Sequence, residues 1–338
     1  MTRSRFVLDL SAVRDNVRVL RSAAAGAELW AVVKADGYGH GAADVGRAAI
    51  EAGATALCVA SVQEGLELRR ALREARLIVL GPWGDDESAR AREAGVELVV
   101  GDGRVPDGVP AHLKLDTGMG RWGLSELPAP GRNVVGLMSH LATAEADPDF
   151  TQLQIERFRV ATAPYAFLTR HLANSAGTLG HPDARFDAVR CGIALYGISP
   201  YGDDPGRYGL RPALRWESEL AQVKRLGAGE STGYGRRFVA DRPTWIGLVP
   251  VGYADGFRRD LTGTEVVVGD RRCRVVGTVS MDAFAVELPG ELLAGEPVRL
   301  LGDGVFVEDH ARVAGTIAYE LVCGLRTAQP RAAREVIG

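Results

Sequence analysis

Between residues 10 and 200, short runs of β-branched and apolar residues alternate with longer amphipathic stretches, which predicts βα units around a parallel sheet. The first amphipathic stretch, 11–23, places Val13, Val17 and Leu20 on one face with Ser11 as its cap. Strands are predicted at 29–33, 55–60, 76–80, 97–100, 111–115, 134–139, 167–172 and 186–190, and helices at 63–73, 86–94 and 150–163. Eight strands in so short a stretch suit a compact (β/α)8 TIM-like barrel rather than an open sheet. The pattern then changes. Strands at 214–226, 245–251, 265–268, 272–279, 283–288 and 297–301 follow one another across Gly-containing turns, which predicts an all-β domain. Between the two regimes lies YGDDPGRYGLR, residues 201–211, with three Gly, a Pro and two adjacent Asp but no apolar period. The expected organisation is a barrel over 10–211 and a C-terminal β domain over 212–338, with residues 1–9 packing against the latter.

Composition narrows the partners. The 338 residues are 46% hydrophobic and 25% charged, which excludes a disordered or fibrous chain and fits two folded domains. Forty basic against 43 acidic side chains give a net charge of −3, so no basic excess is present to neutralise nucleic acid or anionic lipid. Cys58, Cys191, Cys273 and Cys323 lack the C-x-x-C spacing of zinc or dithiol sites and read as small buried side chains in a reduced compartment. The apolar stretch after the N-terminal arginines is too short for a signal peptide, and no run of 18 apolar residues occurs. A cytoplasmic protein is expected.

The most informative segment is Ala31-Val-Val-Lys-Ala-Asp-Gly-Tyr-Gly-His-Gly41, where Lys34 ends the first apolar strand and a Gly-rich loop follows. Barrel enzymes collect their chemistry at that end of the strands. Such a lysine either runs along its strand end to solvent or, desolvated at the barrel mouth, becomes a Schiff-base nucleophile. Gly37-Tyr-Gly-His-Gly-Ala42 fits the loose form of a dinucleotide fingerprint, but the next strand ends without the acidic residue a ribose needs. No phosphate loop with Gly-Lys-Ser/Thr is present either. After the seventh and eighth predicted strands come Asn174-Ser175-Ala176-Gly177 and Cys191-Gly192-Ile193-Ala194, each an ordinary turn or a phosphate cradle. A Schiff-base lysine on strand one and a cradle after strands seven and eight together describe pyridoxal 5′-phosphate (PLP) across a barrel mouth.

Several short motifs now stand in order: Val33-Lys-Ala-Asp-Gly-Tyr-Gly-His-Gly41, Lys114-Leu-Asp-Thr-Gly-Met-Gly-Arg121, Ser139-His-Leu-Ala142, Asn174-Ser175, Arg190-Cys-Gly-Ile-Ala-Leu-Tyr-Gly197, Gly233-Tyr-Gly235, Gly252-Tyr-Ala-Asp255, Ser280-Met-Asp282 and Ile317-Ala-Tyr-Glu320. With them the chain resembles the alanine racemases, PLP enzymes with an N-terminal barrel and a C-terminal β domain, over nearly its whole length. The resemblance implies that Lys34 holds PLP and is one of two catalytic bases. It implies that Tyr38, Ser175, Gly192, Ile193 and Tyr319 contact the phosphate and that Arg190 faces the pyridine nitrogen. A guanidinium donates a hydrogen bond there but hardly a proton, so the ring nitrogen stays neutral. The other base is implied to be Tyr234 of the partner subunit, tuned by His140, with Gly233 departing from the serine often found before that tyrosine. Arg121 and the backbone of Met281, the latter again from the partner, are implied to hold the substrate carboxylate.

On strand five, alternation puts His112, Lys114 and Asp116 on the face opposite Leu113 and Leu115, so Lys114 points into the barrel. There it is either an ordinary lysine paired with a carboxylate or a neutral amine that forms a carbamate, as in some racemases of this family. Met119, Trp122 and Phe238 read as packing residues. The resemblance further implies a homodimer with shared active sites and a role in supplying D-alanine for peptidoglycan. The alternatives are a broader alanine/serine racemase and, against the identity of Arg190, a PLP-dependent amino-acid decarboxylase. No metal is expected.

Overall fold

A computed structural model describes residues 3–338, and its contacts divide the chain into two units. One runs from Val13 to Tyr201 and includes Gly206–Arg211. The other contains the segment before it, Gly202–Pro205, and Pro212–Gly338. Of the residues expected to lie with the β domain, Met1 and Thr2 fall outside the described residues, and Arg5–Asp9 form strand β1.

The first unit is a closed parallel barrel of eight strands. These are β2 (Glu28–Val32), β3 (Ala56–Val59), β4 (Leu77–Val79), β5 (Val96–Val100), β6 (Ala111–Lys114), β7 (Val134–Met138), β8 (Thr169–His171) and β9 (Ala188–Cys191), each within a residue or two of its predicted bounds. Closure comes from β2 and β9, where Trp30 stands opposite Arg190. Strands such as Ala56–Val59 and Leu77–Val79 are buried along their whole length, as parallel strands covered by helices must be. Helices at Val62–Ala71, Asp85–Glu93 and Pro148–Thr162 match expectation. The first helix, Leu10–Ala24, does too, but its cap differs: Asp9 Oδ1 accepts from Ser11 N–H at 2.8 Å, from Ala12 N–H and from Ser11 Oγ. The carboxylate two residues earlier is the stronger acceptor for the orphan N–H groups, so Ser11 lies inside the helix.

The second unit is built on a nine-stranded sheet. Its remaining strands are β10 (Leu214–Glu219), β11 (Gln222–Leu226), β14 (Thr244–Val249), β15 (Glu265–Val268), β16 (Arg271–Val276), β17 (Phe284–Leu288), β18 (Pro297–Leu301) and β19 (Ala333–Ile337), while β12 (Ser231–Thr232) and β13 (Phe238–Val239) form a small ribbon. The order is β11-β14-β17-β16-β15-β18-β10-β1-β19. One expectation is corrected and one extended. The single strand predicted over 214–226 is two, because Leu220 N–H bonds to Glu296 while Ala221 N–H bonds to Leu248, and the chain passes from one neighbour to another. The domain is mostly sheet, as expected, and adds helices at Val307–Ala314 and Ala318–Cys323. The first of these buries Glu308 and His310 beside Val307 and Ala311, so polar residues interrupt its short apolar period. His310 is matched there by Thr264 Oγ1 at 2.6 Å and the Leu300 carbonyl at 2.8 Å. Three cysteines are buried as expected, but Cys323 is exposed. No helix among the described residues is long and apolar enough to cross a membrane.

Candidate active site

Lys34 follows β2 directly and opens a turn whose backbone is left-handed at Ala35, Asp36, Gly37 and Tyr38, with φ between 49° and 62°. For the three residues that carry a Cβ this conformation costs about 1–2 kcal/mol each, so the surroundings must hold it. Glu64 does so from the helix Val62–Ala71 that follows β3, accepting from Ala35 N–H at 2.9 Å and from Ala60 N–H at 2.6 Å. Asp36 Oδ1 accepts from Ala42 N–H, and Tyr196 donates its hydroxyl to the Val32 carbonyl at 2.9 Å. The turn carries Tyr38 inward, buried, with its ring centroid 5.0 Å from that of Tyr196.

Tyr38 ends against the loop that follows β9. A Cβ added at Gly192 would stand 2.4 Å from Tyr38 Oη, so only glycine leaves the hydroxyl its place. Gly192 N–H donates to Ser175 Oγ at 3.1 Å and Ala194 N–H to the same oxygen at 3.4 Å. Ser175 opens a short helix capped by Asn174, whose Oδ1 accepts from Gly177 N–H. Tyr38, Ser175, Gly192 and the buried Ile193 thus meet after the first, seventh and eighth barrel strands, where this fold commonly holds phosphate.

Arg190 is buried on β9, and both of its terminal guanidinium nitrogens are fully bonded. Nη1 donates to His171 Nδ1 and to the His171 carbonyl, both at 2.8 Å. Nη2 donates to the Ser139 carbonyl at 2.8 Å and to His140 Nδ1 and the Leu172 carbonyl at 3.1 Å. Nε is buried without a partner, and the residue makes no ion pair among the described residues. Burial lowers its pKa to about 10, which still leaves the guanidinium protonated near neutrality. His140 lies two residues past β7, and burial followed by the charge of Arg190 pushes its pKa well below the usual histidine value.

Lys114 ends β6 and is buried, as alternation predicted. Burial, then the charges of Arg121 and Arg190, lowers its pKa to about 8. Its Nζ lies 5.5 Å from the Trp122 ring centroid, and the Arg121 guanidinium lies 5.3 Å from the same ring. Trp122 is therefore no packing residue: it is 49% exposed and faces two cations. A cavity of about 280 Å³ reaches Lys114 and Arg121, with Trp83 and Arg104 also on its wall. Asp116 shapes the loop that carries Arg121, accepting from the N–H groups of Gly118, Met119 and Gly120 at 2.8–3.2 Å.

The other three predicted residues belong to the β unit. Tyr234 is 74% exposed beside β12, and its carbonyl accepts from Thr278 Oγ1. Met281 is exposed, its carbonyl accepting from Ala254 N–H. Tyr319 is half-buried in the Ala318–Cys323 helix.

Residues 8–200 match the family described as alanine racemase, N-terminal domain, and residues 213–333 match its C-terminal domain. The chain belongs to the alanine racemase family. An alanine racemase from Symbiobacterium thermophilum is 40% identical over 96% of this chain and 95% of its own. The biosynthetic alanine racemase structure from Pseudomonas aeruginosa covers all of both chains with a TM-score of 0.92 at 36% identity. That from Streptomyces lavendulae, at 36% identity, has a TM-score of 0.89 over 100% of this chain and 98% of its own. The racemase fold and the isomerase class follow.

Against this racemase frame, several side chains escaped the sequence reading. Glu64 holds the lysine turn, yet in sequence it is one more acid on an amphipathic helix. His171 and Glu97 are missing too, although His112, Lys114 and Asp116 were placed on one face of their strand. Polar residues at inward-facing strand positions were the available signal, because a closed barrel leaves them no solvent.

Proposed function

We propose that the chain interconverts L- and D-alanine with PLP bound at the C-terminal end of the barrel strands, supplying D-alanine for peptidoglycan in the cytoplasm. The observation that carries this reading is Arg190. Four of its five N–H groups are spoken for by neutral acceptors, no carboxylate stands beside it, and one buried N–H is left over. That remainder suits a single neutral acceptor such as a pyridine nitrogen. A decarboxylase, which needs the ring nitrogen protonated, would want an acid in this position. When bound, PLP supplies a ring that draws electrons from the Cα–H bond of an attached amino acid, and a neutral ring nitrogen keeps that pull modest.

Lys34 would carry the cofactor, and Tyr38, Ser175, Gly192, Ile193 and Tyr319 would hold its phosphate. The Gly192 close approach, which a Cβ would fill, supports that fit. Inversion at Cα requires a proton to leave one face and another to arrive on the opposite one. Lys34 Nζ serves one face and Tyr234 Oη of the partner subunit the other. His140 accepts from Arg190 at Nδ1, so its own hydrogen sits on Nε2. A neutral Nε2–H offered to the tyrosine oxygen favours the phenolate, and this is how a phenol with pKa near 10 becomes a usable base. Arg121 and the Met281 backbone of the partner subunit would clamp the alanine carboxylate, with carbamylated Lys114 as the anion that steadies Arg121. The functional unit is then a homodimer with shared sites.

The chain has three lysines, Lys34, Lys114 and Lys224, which makes the test simple. Purified enzyme reduced with borohydride and mapped by mass spectrometry should carry the pyridoxyl group on Lys34. An adduct on Lys114 or Lys224 overturns the reading.

A further inference from the structure

The barrel interior holds a second feature, which none of the residues assigned above explains. Below Arg190 a line of polar side chains crosses the barrel from mouth to base. Arg190 Nη1 donates to His171 Nδ1 at 2.8 Å, His171 Nε2 lies 2.9 Å from His112 Nδ1, and His112 Nε2 lies 2.7 Å from Glu97 Oε2. Glu97 is in turn bound by Arg76 Nε at 2.7 Å and Nη2 at 3.0 Å. Both imidazoles have no exposed surface. The line passes over β7, where Gly136 makes room for it: a Cβ there would stand 2.1 Å from His112 Nδ1.

The two ends decide the direction of every bond. A guanidinium can only donate and a carboxylate can only accept. His171 must therefore accept at Nδ1 and donate from Nε2, and His112 must do the same. One extra proton on either ring, or one reversed tautomer, sets N–H against N–H inside a site with no water to repair it. Burial lowers the pKa of both rings, in keeping with neutral imidazoles.

We propose that Glu97, at the far end of this line, is a positioning residue for the reaction: through His112 and His171 it fixes the acceptor for Arg190 Nη1 and so reserves Nε–H for the cofactor ring. The proposal rests on the PLP reading above for its last step. Without an acceptor-only anchor the line can reverse. His171 then presents N–H to Nη1, the guanidinium turns, and Nε–H is no longer held in place.

Nitrogen NMR on ¹⁵N-labelled enzyme carrying ¹⁵N-labelled PLP tests this, with steady-state kinetics alongside. In the wild type both imidazoles should be neutral with hydrogen on Nε2. In Glu97→Gln, whose amide can donate as well as accept, reversed tautomers should appear and the ring-nitrogen shift of the cofactor should move. The kcat should fall about tenfold, the low end for losing a hydrogen bond to a charged group. KM for alanine should stay within about twofold, because neither residue touches the substrate. Gly136→Ala should move the same ring-nitrogen shift with the carboxylate intact, which covers the case in which Glu97→Gln does not fold. A cationic or Nδ1–H ring at His112 or His171 in the wild type overturns the proposal. So does a folded Glu97→Gln with wild-type ring shift and kcat. Failure of the wild type to take up PLP counts against the proposed function instead, and the tautomers of the enzyme as purified still decide this inference.

Discussion

A single methyl group at Gly192 tests the phosphate cradle. In Gly192→Ala the new Cβ stands 2.4 Å from Tyr38 Oη and 2.9 Å from its Cζ. Unstrained contacts between carbons lie at about 3.5–4.0 Å, so the phenol tip must withdraw by roughly 1 Å. It has little room, because the ring is buried against Tyr196, which is itself anchored to the Val32 carbonyl. Withdrawal takes Tyr38 Oη away from the phosphate. A hydrogen bond to a charged group contributes about 1.5–3 kcal/mol, equivalent to about 10–150-fold in Kd. Titration of the unloaded protein with PLP, followed by absorbance, should show a loss in that range. Tyr38→Phe should lose a similar amount. The two changes act on one hydroxyl, so the double variant should be little worse than either alone. Wild-type affinity in Gly192→Ala, or losses that simply add, would refute the idea that this glycine serves the tyrosine.

Three further outcomes follow from the same geometry. Burial alone would raise the Glu97 carboxyl, but hydrogen bonds from His112 and Arg76 bring its pKa down to about 2. Its contribution to stability is therefore complete above its ordinary value of 4.5 and lost as pH falls through 2, and acid-unfolding curves of Glu97→Gln should be flatter than wild type over that range. Because Lys114 deprotonates near pH 8 rather than 10.5, uptake of ¹³C-bicarbonate as a carbamate should grow as pH rises through about 8. Carbon NMR should show that signal, and its persistence in Lys114→Arg would exclude this site. Mixing Lys34→Ala with Tyr234→Ala under subunit exchange should restore about one quarter of wild-type activity, since half of the dimers are mixed and each holds one intact site. No recovery despite proven exchange would place both bases on one chain.

Barrel strands such as Ala56–Val59 and Leu77–Val79 were legible because each is an uninterrupted apolar run between turn signals, and burial on both faces is what writes such a run. The phosphate loops were legible for a local reason, a Ser and a Gly each placed just past a strand. What escaped the reading depends on neighbours distant in sequence. Glu64 reaches Ala35 across 29 positions, and His171 reaches His112 across 59. Trp122 looked like core because tryptophan usually is, and only the placement of Lys114 and Arg121 on its ring explains its exposure. The helix at Val307–Ala314 hid for the opposite reason, since two of its buried positions are polar and satisfied by partners on other elements.

The polar line through the barrel also limits how this sequence can drift. Its two imidazoles are satisfied only within the line, so replacing His171 alone by leucine strands His112 Nδ1 and one of the two Arg190 Nη1 N–H groups. Each stranded buried group costs about 1–3 kcal/mol, a large share of a typical domain's margin. An all-apolar interior of the same volume would strand nothing and can match or exceed the original in stability. Between those two states lies a valley that single substitutions do not cross. Descendants of this chain are expected to inherit the histidines and the carboxylate as a block, while apolar barrel positions such as Ile78 and Leu98 exchange one aliphatic side chain for another at random.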